Sequence, residues 1–193
     1  MYWKESLKIQ CENIIEMLNN QQLEKEANEL IKLIKNTNEF VYFTGIGKNG
    51  FVAAKVASTF NSLGIRSLFI DPVNTLHGDM NIFTDKDILI AISKSGETEE
   101  LIHFISTLKK TSDTKVISIV SKQDSSLEKL STLTVHIPIL HEGDHLNLAP
   151  VASSVVFMSF LQSLAVQISS ENGFDKKQFV KGHPGGTLGK TKV

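Results

Sequence analysis

Apolar residues in the first 36 positions recur at helical spacing: Leu7, Ile14, Ile15, Leu18, Leu23, Leu30, Leu33 and Ile34 stand among Glu, Lys, Asn and Gln. This rhythm predicts helix over 3–36, with Asn19-Asn20 as the place where it breaks in two. The pattern then changes. Short, nearly continuous apolar runs predict strands at 39–45 (EFVYFTG), 66–71 (RSLFID), 87–93 (DILIAIS), 114–121 (TKVISIVS) and 133–140 (LTVHIPIL). Helical patterns stand between and after them, at 49–64, 98–111, 125–131 and 151–169. Gly64 closes the first of these, and Ser125-x-x-Glu128 opens the third as a capping box. Buried strands alternating with helices predict an α/β fold, a three-layer sandwich with a five-stranded parallel sheet flanked by helices. The helix at 151–169 is apolar all round, so it is expected to be buried in the domain or against another subunit. The end of the chain, KKQFVKGHPGGTLGKTKV, is basic, glycine-rich and without periodicity. A single domain follows, with a helical segment at 1–37, an α/β core at 38–172 and a tail at 173–193.

Composition narrows the partners. Twenty basic and 21 acidic residues leave a net charge of −1, which advertises no field for nucleic acid. One cysteine, Cys11, excludes an internal disulfide and fits a reducing cytoplasm. The amino terminus has no signal-peptide apolar block, and no run approaches ~18 uninterrupted apolar residues, so no membrane span is expected. Together these readings predict a cytoplasmic protein with no membrane or nucleic-acid partner.

In open parallel sheets ligands gather at the carboxyl ends of the strands. After the third strand comes SKSGETEE (93–100), where Ser93, Ser95 and Thr98 surround Gly96 as a helix begins. Backbone N–H groups at a helix start, with small hydroxyls and glycine, suit a phosphate. An ordinary Ser/Thr cap accounts for one hydroxyl, but not for three around a glycine. Glu97, Glu99 and Glu100 would repel a phosphate, so a cation is needed nearby, with Lys48 and Lys94 as candidates. After the first strand, TGIGKNG (44–50) carries Gly45-x-Gly47-x-x-Gly50, and Asp71 ends the next strand, which makes a fair dinucleotide fingerprint. Lys48 inside that loop argues against a dinucleotide. After the fifth strand, His141-Glu142-Gly143-Asp144-His145 fits H-E-x-x-H, but Gly143, Asp144 and the flanking Pro138 and Pro150 predict a loop rather than the helix that a zinc protease needs.

GIGKNG and SKSGET on this strand pattern resemble the sugar isomerase (SIS) domain. HGDM (77–80), the LAP of 148–150 and above all GHPGGTLGK (182–190) resemble the arabinose-5-phosphate isomerases of the 3-deoxy-octulosonate pathway of capsule and lipopolysaccharide. Longer members carry a pair of cystathionine-β-synthase-like modules after the HPGG segment; ending at Val193, the chain resembles the short members. The resemblance implies an aldose–ketose isomerase that interconverts D-ribulose 5-phosphate and D-arabinose 5-phosphate through an enediol. No metal or other cofactor is expected. It implies catalytic roles for Lys48, Glu97, Glu142 and His183, with either Glu142 or Glu97 as the proton-transfer base. His183 is assigned to ring opening and Lys48 to electrostatic stabilisation. Gly47, Asn49, His77, Ser93, Ser95, Gly96 and Thr98 are implied to bind substrate. The family also implies a homo-oligomer, a tetramer, in which the tail completes a neighbouring subunit's site. Three departures stand out: Asn49 replaces a common serine, Val151-Ala152 replace a Thr-Ser run, and His141 and His145 stand where lysine and proline are usual. His103 and His136 are read as structural or surface residues.

Overall fold

The computed structural model describes residues 1–185. Two helices, α1 (Tyr2–Leu18) and α2 (Gln21–Asn36), precede the first strand. The break between them falls at Asn19-Asn20, because the Asn20 side chain accepts the backbone N–H groups of Gln22 and Leu23 and so starts a new helix. The chain then runs through β1 (Val41–Gly45), α3 (Lys48–Ser62), β2 (Ser67–Phe69), α4 (Pro72–Thr75) and a 3₁₀ turn at Asp79–Ile82. It continues with β3 (Ile88–Ile92), α5 (Glu99–Thr111), β4 (Lys115–Val120), α6 (Ser126–Leu130), β5 (Leu133–His136), α7 (Ala152–Glu171) and α8 (Lys176–Gly182).

The five strands form one parallel sheet in the order β2-β1-β3-β4-β5. Alternation along each strand feeds two cores. Val41, Phe43, Ile88, Ile90, Ile92, Ile117 and Ile119 face α2, α3 and α7, whereas Tyr42, Leu89, Ala91, Val116 and Val120 face α5 and α6. The predicted three-layer arrangement is therefore present. By length and apolarity α7 could cross a membrane. Here it is the central helix of one core, burying Val156, Phe157, Leu161, Leu164, Ala165 and Ile168 against α3 and α2.

Several boundaries differ from the sequence expectation. β5 stops at His136, although Ile137 still donates to Val120 O at 2.8 Å, because Pro138 has no N–H to continue the ladder. β2 is only three residues long. The stretch 72–82 holds a short helix and a 3₁₀ turn where only a loop was read; Pro72 at its first position and Asp71 as N-cap start α4. The tail is not aperiodic throughout, since 176–182 forms α8. Its start is fixed by an Asp175–Gln178 capping box, a signal present in the sequence but hidden by the following glycines. At α6 the expected capping box is half made. Ser125 Oγ accepts Glu128 N–H at 3.3 Å, while the Glu128 carboxylate lies 3.3 Å from His136 Nε2. His136 also donates its backbone N–H to Glu26 at 2.7 Å, which ties β5 to α2.

Candidate functional site

Loops at the carboxyl ends of β1, β3, β4 and β5 enclose a cleft of about 520 Å³, lined by Asn49, Ser93, Lys94, Ser95, Thr98, Ser121, Lys122, Glu142, Leu148 and Pro150. It opens where the strand order reverses, at β1 and β3, the place where helices leave the sheet in opposite directions and a crevice forms.

One wall is the turn from β3 into α5. Ser93 Oγ accepts Gly96 N–H at 3.1 Å and lies 3.1 Å from Thr98 Oγ1. Thr98 is the N-cap residue of α5, yet its side chain makes no cap bond, so the hydroxyl is spent on Ser93 rather than on the helix start. The first N–H groups of this 13-residue helix thus remain open toward an anion. Gly96 has a φ of +66°, and a Cβ there would collide with the Ser125 side chain, so the turn requires glycine.

The buried centre of the cleft is Glu142. Its side chain is only 1% exposed. Oε1 accepts a 2.6 Å charge-assisted bond from Lys94 Nζ, and Oε2 accepts from the Ser153 N–H at 3.0 Å and the Ser153 hydroxyl at 3.1 Å. Ser153 stands in the first turn of α7, whose positive end adds to the attraction. Burial pushes this carboxyl up; Lys94, then the Ser153 N–H and hydroxyl, more than reverse the effect, and the net pKa lies below the ordinary carboxylate value. A buried, ionised carboxylate with one cation beside it is a base with its proton-accepting form already populated. Two further polar atoms, Asn49 Oδ1 and Ser121 Oγ, are buried without a hydrogen-bond partner on residues that line the same cleft. They are available to hydroxyl groups of a bound molecule.

The loop holding Glu142 is not helical, as the glycine and prolines of HEGDH predict. His141 Nδ1 accepts Gly143 N–H at 2.8 Å, and His145 is exposed, so the two imidazoles do not face one ion. Among the described residues no group of three or more His, Cys, Asp or Glu is placed to hold a metal. Asp144 organises the rest of the loop by accepting backbone N–H groups from Leu146, Leu148 and Ala149, led by Ala149 at 2.7 Å.

The other candidates are scattered. Glu97 is turned away from the cleft: its carboxylate accepts Ser126 N–H at 2.9 Å and caps α6. Contacts from the Ser126 side chain and backbone hold its pKa below the usual value. Gly47 and Lys48 are exposed at the start of α3, and His77 is exposed after α4; none of the three lines the cleft. His183 stacks on Phe179, with ring centroids 4.1 Å apart, and its Nδ1 lies 2.7 Å from Phe179 O. It follows α8, beyond the far end of α7, whose 20 residues span about 30 Å. His183 therefore does not reach Glu142 of its own chain. Gly186 and the TLGK stretch of the tail motif lie outside the described residues.

Residues 33–167 match the SIS domain. The chain belongs to the SIS-domain family. This SIS domain is similar to an Escherichia coli CFT073 protein solved in complex with arabinose 5-phosphate, at 34% identity and a TM-score of 0.89, covering 94% of this chain and 95% of that one. It is 33% identical to the arabinose 5-phosphate isomerase KpsF of E. coli O6:H1, over 93% of this chain and 53% of the relative. It is 32% identical to the isomerase KdsD of Salmonella typhi, over 97% of this chain and 56% of the relative. The chain spans about half the length of these curated relatives.

Sequence reading missed three contributors to the SIS-domain cleft. Ser121 and Lys122 follow β4, and applying the strand-end rule to that strand as well would have found them. Ser153, just after the Val151-Ala152 departure, was given no role. Asp71, read as a possible ribose-binding acid, caps α4 through Val73 and Asn74 N–H groups at 3.0 and 2.8 Å.

Proposed function

We propose that this chain is an aldose–ketose isomerase that interconverts D-arabinose 5-phosphate and D-ribulose 5-phosphate, supplying the aldose for 3-deoxy-octulosonate synthesis in the cytoplasm. The observation that carries this reading is the buried, ionised Glu142, salt-bridged to Lys94 beside a cradle of hydroxyls and helix N–H groups. A sugar phosphate uses both halves of such a cleft. Its phosphate suits the Ser93, Ser95 and Thr98 turn, and its carbonyl end then lies toward the carboxylate.

From the open-chain aldose, Glu142 removes the C2 proton and the electrons move onto O1, forming an enediolate. Lys94 offsets the negative charge as it develops. Returning the proton to C1, with loss of the O2 proton and protonation of O1, gives the ketose. Of the two glutamates considered, Glu142 is the better base, because Glu97 is committed to α6. Similarity to the E. coli protein solved with arabinose 5-phosphate, and to KpsF and KdsD, supports the pentose phosphate as substrate.

Incubation in D₂O with C5 to C7 aldose and ketose phosphates, followed by NMR, tests this directly. Deuterium enters C2 of arabinose 5-phosphate and C1 of ribulose 5-phosphate. Absence of exchange with every sugar phosphate would refute an isomerase.

Ring opening is assigned to His183, and its place beyond α7 requires that a second copy deliver it. Mixed oligomers of E142Q and H183A chains then regain part of the turnover that each lacks alone, because some sites receive an intact set. If each variant is inactive by itself and mixing restores nothing, His183 does not act in trans.

A further inference from the structure

Glu142 sits in a segment, 137–151, without regular secondary structure, yet its carboxylate is held to a single arrangement. Part of that order comes from the far end of the sequence. Asn13, in the middle of α1, is completely buried. Its Oδ1 accepts the Leu140 N–H at 2.8 Å, and its Nδ2 donates to His141 O at 3.0 Å and to Ile9 O at 2.8 Å. The amide thus brackets the two residues before Glu142, using its acceptor and both donors.

A buried asparagine is a poor choice for a helix interior. It lowers helix propensity and must be desolvated, where an apolar side chain would pack at no such cost. The next residues point the same way. Gly143 has a φ of +87°, and a Cβ there would lie 3.2 Å from Ser6 O and 3.5 Å from the Ile9 side chain. The surface of α1 therefore touches the loop on both sides of Glu142. Glu142 itself is fixed through its backbone as well: its N–H donates to Asn147 Oδ1 at 2.7 Å, and its carbonyl accepts Ala152 N–H at 3.0 Å. Without Asn13 the Leu140-His141 backbone loses these bonds, and the loop is next held at Ile137 on one side and through Asn147 and Ala152 on the other.

We infer that Asn13 is a positioning residue for Glu142, so that α1, which lies outside the 33–167 match to the SIS domain, is part of the catalytic apparatus. The inference rests on the proton-transfer reading of Glu142. Asn13 touches no substrate; it acts by fixing the 140–141 backbone. A displacement of about 1 Å at a reacting group is enough to cost up to ~10²-fold in rate.

The test compares Asn13→Ala with Leu23→Ala. Leu23 is buried on α2 and gives its backbone N–H to Asn20 rather than to the loop, so its truncation weakens the core while leaving the bonds to Leu140 and His141 in place. With arabinose 5-phosphate, Asn13→Ala lowers kcat by on the order of 10-fold or more while KM is retained, because the phosphate cradle is intact. Leu23→Ala lowers the melting temperature at least as far but leaves kcat unchanged. Carbon-13 labelling of the glutamates adds a readout that needs no turnover. The Glu142 resonance, assigned by its absence in E142Q, titrates at higher pH in Asn13→Ala, as Lys94 and Ser153 lose their grip on it. Lys122, from the β4 loop, is the other charged group lining that cleft and is the same in both proteins. An Asn13→Ala protein with unchanged kcat and an unchanged Glu142 midpoint would overturn the inference. Full turnover in E142Q would instead overturn the role given to Glu142, and the carbon-13 midpoint still decides whether Asn13 holds that side chain.

Discussion

Replacing Glu142 by glutamine lowers kcat for arabinose 5-phosphate by about 10²–10⁴-fold, the range for loss of a positioned general base. Glutamine keeps the length of the side chain and an oxygen for Ser153, so the cleft retains its shape. KM changes little, because the phosphate is held by the turn from β3 into α5 rather than by the carboxylate. Deuterium incorporation at C2 falls in parallel with kcat, since both depend on the same proton transfer. The variant is also informative about stability. It removes a buried charge but leaves Lys94, which is 41% exposed and rejoins water at little cost. A small change in melting temperature with a large loss of kcat is the expected pair. Retention of full activity would remove Glu142 from the mechanism.

Substitution of Lys94 by methionine has the second large effect, and it acts on pH dependence. In the native protein the Glu142 carboxyl is depressed below its ordinary value. Its ionised form therefore adds stability above the unfolded pKa of about 4.3, and that stability is lost as pH falls through the lower folded value. Burial is already the largest single influence on this carboxyl; without Lys94 it is opposed only by the two Ser153 bonds, and the group moves up. The folded state then prefers the protonated acid, and stability declines as pH rises from about 4.3 through the raised folded value. The unpaired carboxylate costs about 1–3 kcal/mol at neutral pH, a figure at the lower end for a buried charge because Ser153 still donates twice. The acid limb of the kcat profile moves to higher pH in the same variant, because the base must be ionised to act. Melting curves and pH–rate profiles on Lys94→Met check both. An acid limb that stays in place would show that Lys94 does not control Glu142.

The elements were legible where local physics decides them. Nearly continuous apolar runs at 39–45 and 87–93, each followed by a turn and a helix start, locate the central strands, and Asn20 locates the break between α1 and α2 by its own capping bonds. HEGDH could be dismissed as a metal helix from Gly143 and its flanking prolines alone. What sequence could not supply is pairing across distance. Lys94 and Glu142 are 48 residues apart, and nothing local says that this lysine, rather than Lys48, reaches the carboxylate. Glutamates 97, 99 and 100 look alike on paper, yet Glu97 faces α6 because Ser126 offers it an unpaired N–H. Asn13 reads as a polar residue on an amphipathic helix; only its 127- and 128-residue contacts give it meaning. His183 was named by resemblance alone, and its packing on Phe179 beyond α7 could not be read from the sequence.

The bond from His136 N–H to Glu26 has a consequence for solubility. A five-stranded open sheet leaves two borders, and unpaired N–H and C=O groups along a border can recruit strands from other molecules. At the β5 border the buried Glu26 carboxylate occupies a backbone donor, and α2 lies over the strand. At the opposite border β2 offers only three residues, too short a template for a stable foreign strand, even though Leu68 and Phe69 are partly exposed there. One border is protected by a carboxylate and the other by brevity, so neither offers a foreign strand a long run of free backbone groups.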